Sequence, residues 1–331
     1  MTRCFVWCVL ALAVAACRPS TLPAAMSDAE FRALGESLSE PAGIFAISDN
    51  LVSNEPRIAE NVRWIQPRGG VYVGVGPEQN FSYIAKLRPA VAFVVDIRRE
   101  NRNLHLLYKA LFEMTTDRAE FVSRLFSRPR PAGLGAGSSA ADLFERFASA
   151  APSPALRDGT AVLVRERLSG HGLTMTEDDL ASIDRALAAF CKDGPGIQFW
   201  ASSAVKTDGA GPSYRELMTS RDLTGETRSF LADESSFRFV RSLQARNLIV
   251  PIVGDFAGPT AIRGIGAYAR QHRSVIEAFY GSNVGVYLTT KQMRVFCASL
   301  EALPAASDAW FIESNALRPF AAKLKTCAPA R

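Results

Sequence analysis

Residues 71–99 read VYVGVGPEQNFSYIAKLRPAVAFVVDIRR, an order of apolar strand, glycine-bearing turn, short helix, second apolar strand and acidic residue that few folds accommodate. Val71, Val73 and Val75 alternate as in a strand of β-branched side chains. Gly74 and Gly76 lack the Cβ that holds a ligand away from the main chain. A helix over 81–87 points its partially positive N-terminus at that turn. The second strand, 91–95, ends at Asp96, about 20 residues after Gly76, the separation at which dinucleotide-type folds offer a carboxylate to ribose hydroxyls. The pattern predicts a nucleotide-type α/β unit with an adenosine-like ligand. The competing explanation is a tight strand-to-helix turn in an ordinary α/β core, because Glu78 stands where a third glycine is usual.

Further strands are predicted at 197–201, 248–253, 275–280 and 309–312, with helices between most of them, including 235–245 and 288–300. Such alternation implies a Rossmann-like, mainly parallel sheet with helices on both faces and right-handed crossovers. Ligands of these sheets bind beyond the carboxyl ends of the strands. The residues expected there are Gly74, Gly76, Glu78, Gln79 and Asn80 after the first strand and Asp96 after the second. Asp255 in the GDFAG run and Ser282 and Asn283 in the GSN run follow two later strands. Each of these residue types also favours turns for its own reasons, so only their common location predicts a crevice. Pro259 suits the first position of the helix after GDFAG. The polar run 49–55 is explained by capping and turn chemistry ahead of a helix at 58–62, with Asn50 and Glu55 as the members able to face a ligand instead. His105, on a helix predicted over 101–114, reads as a packing or surface residue.

The chain begins with Arg3 and an apolar run, 5–16, too short to span a membrane and suited to a signal-peptide core. It ends in Val14-Ala15-Ala16-Cys17, which resembles a bacterial lipobox. Residues 1–17 are then a signal peptide with its lipobox, cut before Cys17, which becomes the lipidated N-terminal anchor on the periplasmic side of the cell envelope; the alternative is an ordinary cleaved signal that happens to contain a cysteine. Arg18, where an inner-membrane retention signal has Asp, favours the outer membrane. Residues 18–40 form a tether and an N-terminal helix opened by the capping pair Ser27 and Glu30. The Rossmann-like domain occupies 41–331, interrupted at about 129–196 by a helical insertion that either covers a ligand site or elaborates the periphery. Lys and Arg total 38 against 33 Asp and Glu, a mild excess without the basic block and interleaved aromatics of a nucleic-acid surface. After Cys17 remain Cys191, Cys297 and Cys327, of which the last two are the favoured disulfide in an exported protein. The scattered cysteines and three histidines make no metal-ligand cluster. Elbow, Walker-type and His-Glu-x-x-His motifs are missing from the sequence.

The segments GVGPEQNFSYI and AFVVDIRRENRNLHLLYKALFE, with DNLVSNE upstream and VPIVGDFAG downstream, resemble a family of uncharacterised bacterial proteins with a Rossmann-type fold of the class I methyltransferase kind. That resemblance implies S-adenosylmethionine as cofactor, with Gly74 and Gly76 approaching its methionine portion, Asp96 taking the ribose hydroxyls and Asp255 near the adenine or substrate. Two positions depart from the methyltransferase pattern: Tyr72 replaces the acid two residues before the first glycine, and Glu78 the third glycine. S-adenosylmethionine is moreover a cytoplasmic metabolite. Two functions follow as expectations. One is a transferase that aligns a methyl donor with its acceptor. The other is a non-catalytic exported protein whose crevice holds a different small ligand.

Overall fold

The structure is a computed structural model that describes residues 19–45, 50–199 and 211–327. The segment expected to be a signal, with Cys17, and Asp49 of the polar run lie outside the described residues.

Helix α1 (Asp28–Leu38) starts with the expected capping box, in which the Ser27 N–H donates to the Glu30 carboxylate at 2.7 Å and the Ser27 hydroxyl accepts from the Glu30 N–H. Helix α2 (Ile58–Arg63) follows the polar run. Then β1 (Val71–Gly74), α3 (Gln79–Leu87) and β2 (Val91–Asp96) reproduce the order read from residues 71–99. Every residue of β1 and β2 is buried, as unbroken apolar strands inside a two-sided parallel sheet must be. Next come α4 (Arg99–Met114) and α5 (Arg118–Phe126), and then α6 (Ala140–Ser149), α7 (Pro154–Gly170) and α8 (Glu177–Asp193). A 3₁₀ turn (Gly194–Gly196), α9 (Tyr214–Thr219) and α10 (Glu234–Ala245) lead back to the sheet. The chain finishes with β3 (Ile249–Val253), α11 (Ala261–Gln271), β4 (Ile276–Tyr280), α12 (Val284–Tyr287), α13 (Thr290–Glu301), β5 (Ala305–Glu313), β6 (Ala316–Pro319) and α14 (Phe320–Cys327).

The six strands run in the order β3-β2-β1-β4-β5-β6, parallel except for β6, which pairs antiparallel with β5. The chain therefore builds outward from β1 through β2 to β3 and then crosses to the other side of β1. That reversal opens a crevice outside the carboxyl ends of β1 and β4. Beneath it, Phe81 of α3 meets Tyr108, Phe112 and Phe230 edge to face with centroids 5.2–5.3 Å apart. These contacts hold α3, and hence the turn before it, against α4. Helix α8 docks on α4 through Asp179, which accepts two bonds from Arg99 at 2.6 and 2.7 Å and one from Asn103 at 2.9 Å. Cys297 and Cys327 form the favoured disulfide, tying α14 to α13, and Cys191 is a buried free thiol.

Four expectations are corrected. In the region expected as a strand at 197–201, Gln198 makes only an isolated antiparallel bridge to Ser213, and 200–201 lie outside the described residues. Strand β5 begins four residues before the expected 309, and β6 was not expected. Strand β6 is the sheet edge and β5 its neighbour, and exposed residues such as Ser307 and Asp308 in the first half of β5 blur the apolar signal. Pro259 precedes α11 by two residues and does not occupy its first position. The N-terminus of α11 is capped from a distance instead: the Glu40 carboxylate accepts from the N–H groups of Thr260 (2.6 Å), Ala261 (3.0 Å) and Asp255 (2.9 Å).

Candidate functional site

At the reversal point lies a cavity of about 250 Å³, far more than the space of a few waters. Its polar wall comes from Val75, Gly76 and Gln79 after β1, Asp96 and Arg98 after β2, and Asp255 after β3. Ser282 and Asn283 after β4, together with Asn50, Ser53 and Glu55 of the polar run, complete it. Phe45, Phe256 and Tyr287 supply apolar surface, and Phe45 meets Tyr287 edge to face at 4.9 Å. No described residue of α6, α7 or α8 lines the cavity.

The turn after β1 is shaped by buried side chains. Gly76 has φ +78°, a left-handed conformation that favours glycine. Its carbonyl accepts from Asn80 Nδ2 at 3.0 Å and from His105 Nε2 at 2.8 Å. Because a carbonyl only accepts, His105 carries its proton on Nε2, leaving Nδ1 buried without a partner. Burial pushes the His105 pKa down to about 4, so the ring is neutral. His105 therefore braces the turn from behind, a role its sequence position did not disclose.

Of the residues expected to meet a ligand, Gly76, Gln79, Asp96, Asp255 and Asn283 line the cavity, whereas Gly74, Glu78 and Asn80 do not. A side chain at Gly74 would collide with Asn80 and Tyr72, so its missing Cβ serves internal packing. Asn80 is fully buried and devoted to the turn: Nδ2 donates to the carbonyls of Val75, Gly76 and Pro77, and Oδ1 accepts from the Tyr72 hydroxyl at 2.9 Å. Tyr72, standing where methyltransferases carry an acid, is thus a support for this turn. Glu78 is fully buried as well, both carboxyl oxygens 3.1 Å from the Ser53 N–H. Burial lifts its pKa to about 8, so it is mostly uncharged at neutral pH.

Asp96 lies at the cavity, but its carboxylate is already occupied. Arg98 grips it in a bidentate pair, Nε to Oδ1 at 2.9 Å and Nη2 to Oδ2 at 2.8 Å, and the Arg98 N–H adds a bond at 3.0 Å. A ligand at this end of β2 meets a neutralised pair rather than a bare carboxylate. Asp255 Oδ1 accepts from the Ala257 N–H at 2.8 Å, closing its own turn.

The polar run contributes more than its turn chemistry suggested. Glu55 is only 4% exposed; Oε1 accepts from the Ser282 hydroxyl, and Oε2 has no hydrogen-bond partner. Burial raises its pKa, an effect only partly offset by the hydroxyls of Ser282, Tyr280 and Ser314. Gln79, 3% exposed, donates to the Tyr280 hydroxyl at 2.9 Å and to the Val75 carbonyl at 3.2 Å, while its Oε1 is unpartnered. Asn50 Oδ1 is also buried without a partner. Among the described residues no group of histidine, cysteine, aspartate and glutamate could hold a metal ion.

The fold and cavity place the chain among Rossmann-like α/β proteins with a crevice at the strand-order reversal. More particularly, it belongs to the family defined by the domain of unknown function DUF7790, matched over residues 50–132 and 200–323. The interval between the matched stretches carries α6, α7 and α8. Among curated proteins none matches the sequence.

Proposed function

We propose that this chain is an envelope-anchored protein that binds a small polar molecule in the crevice between β1 and β4, without transferring a group to or from it. The observation that carries this reading is that three residues lining one cavity, Asn50, Glu55 and Gln79, each hold a buried oxygen lacking a partner. An unsatisfied buried polar atom costs about 1–3 kcal/mol, and a ligand that donates to all three recovers that cost on binding. The groups best placed for proton chemistry are otherwise engaged: His105 supports the turn and Asp96 is held by Arg98.

A second reading keeps S-adenosylmethionine or another adenosine compound as ligand, favoured by Asp96 lying on the cavity wall beside the Gly76 turn. Isothermal titration of the purified protein with S-adenosylmethionine, S-adenosylhomocysteine and adenosine separates the two. Under the first reading all three give no binding heat at millimolar concentration, while a thermal-shift screen of other polar metabolites yields a stabilising compound. Saturable heat with the sulfonium compound would instead establish the second.

The envelope location rests on the lipobox-like tetrapeptide before Cys17 and draws support from the Cys297–Cys327 disulfide, a bond that persists in oxidising compartments. Palmitate fed to producing cells is expected to label the protein and to be lost in Cys17→Ala. Label retained by that variant would remove the anchor.

A further inference from the structure

We propose that the crevice is built for a ligand bearing a protonated amine, seated against the free oxygen of Glu55 with the side-chain oxygens of Asn50 and Gln79 as companion acceptors. The inference rests on the reading of this cavity as a ligand site. All three unpartnered atoms are oxygens, so once Glu55 is ionised these positions want donors rather than acceptors. An amide could in principle be turned about, but Gln79 is fixed in its orientation because Nε2 already donates to the Val75 carbonyl, which can only accept. Among the described residues the charged lining consists of Glu55, Asp96, Asp255 and Arg98, and the single guanidinium is spent on Asp96. An anion would face carboxyl groups with no uncommitted cation among the described residues of the wall. An ammonium group has three donors and no acceptor, the complement of this set.

Glu55 and Gln79 are both more than nine-tenths buried, so their free oxygens are not satisfied by bulk water. The groups facing Glu55 are the phenols of Tyr280, Tyr72 and Tyr83 and the carboxyl of Glu78, each raised in pKa by burial and uncharged at neutral pH or slightly below, together with the hydroxyls of Ser282 and Ser314. Burial, with no cation beside it among the described residues, makes the Glu55 carboxyl keep a proton more readily than a carboxyl in water. When an ammonium enters, the O–H of Glu55 dissociates, the proton passes to the buffer, and the carboxylate accepts N–H from the ligand. Binding is then coupled to proton release.

The test uses matched sets in which one scaffold carries an amine, a neutral group or an acid: glucosamine, glucose and glucuronate; 5′-amino-5′-deoxyadenosine, adenosine and adenosine monophosphate; putrescine, 1,4-butanediol and succinate. Thermal shift and titration calorimetry on the full chain are expected to favour the amine in at least one set by about tenfold or more. Titration in two buffers of different ionisation enthalpy, below the raised Glu55 value, should reveal protons released on binding. Glu55→Gln keeps an oxygen for the Ser282 hydroxyl and should melt close to wild type, yet lose the amine preference. Asn50→Ala, at a half-buried position, should weaken amine binding several-fold and serves if Glu55→Gln fails to fold. A neutral or acidic member binding best, or Glu55→Gln binding amines as wild type does, overturns the amine assignment and leaves the ligand site standing. Silence from every compound in every set overturns both.

Discussion

Asn80→Ala is expected to lower the free energy of unfolding by about 3–5 kcal/mol, seen as a fall in the urea midpoint with an unchanged slope. The side chain is fully buried and all of its visible bonding is internal. Its loss leaves the Tyr72 hydroxyl and the Pro77 carbonyl without the partners that Asn80 gives them. The Val75 and Gly76 carbonyls retain bonds from Gln79 and His105, which sets the upper end of the range. Adding Tyr72→Phe removes one stranded hydroxyl, so the double variant should be less destabilised than the sum of the singles. A loss below about 1 kcal/mol for Asn80→Ala would mean that water enters the turn and the crevice floor is not dry. Asn80→Asp is no rescue, because it turns an acceptor toward three carbonyls.

Lys109→Ala should be of similar size, about 3–5 kcal/mol, because it breaks a buried ion pair from one side. Lys109 is 1% exposed on α4, and its ammonium donates to Glu113 Oε1 at 2.6 Å, to the Gln244 carbonyl at 2.7 Å and to Asn247 Oδ1. The other Glu113 oxygen bonds His171 Nε2 at 2.7 Å, and His171 Nδ1 bonds Asp28 at 2.7 Å. One network thus joins α1, α4, α7 and the end of α10. Glu113 and then Asp28 hold the His171 pKa above its ordinary 6.5, against burial. The stabilisation from protonated His171 is complete below 6.5 and is lost as pH rises through the higher folded-state value. Glu78, lifted to about 8, and Glu55, also raised, bind protons more tightly in the folded state and give a slope of the same sign above about 4.5. Urea midpoints measured from pH 6 to pH 9 should therefore fall for the wild type and fall less steeply for His171→Gln. Equal slopes would show that His171 is not held protonated by its two carboxylates.

Much of the frame was legible from neighbouring residues. The β1–α3–β2 unit announces itself because alternating β-branched residues, a turn glycine and an amphipathic helix are each defined within a few positions. The cap at Ser27 was readable for the same reason, since the side chain and the N–H it satisfies are three residues apart. Gly76, Gln79, Asp96, Asp255 and Asn283 lie at the crevice because strand polarity alone sends every loop after a parallel strand to one end of the sheet. The same rule could not tell which loop residues turn toward the cavity and which hold the loop together. Gly74, Glu78 and Asn80 fall in the second group through Tyr72, Ser53 and the turn carbonyls.

Residues 71–99 by themselves determined a parallel sheet with a crevice after its first strand, because strand, turn and helix signals act over one to four residues. Only the tertiary structure decided what that crevice contains. Glu55 approaches from a segment before β1 to meet Ser282 after β4, Arg98 folds back to occupy Asp96, and Glu40 reaches across to cap α11. These contacts depend on which strands become neighbours. Strand order is set by burial summed over the whole chain, a quantity to which no short stretch of sequence has access.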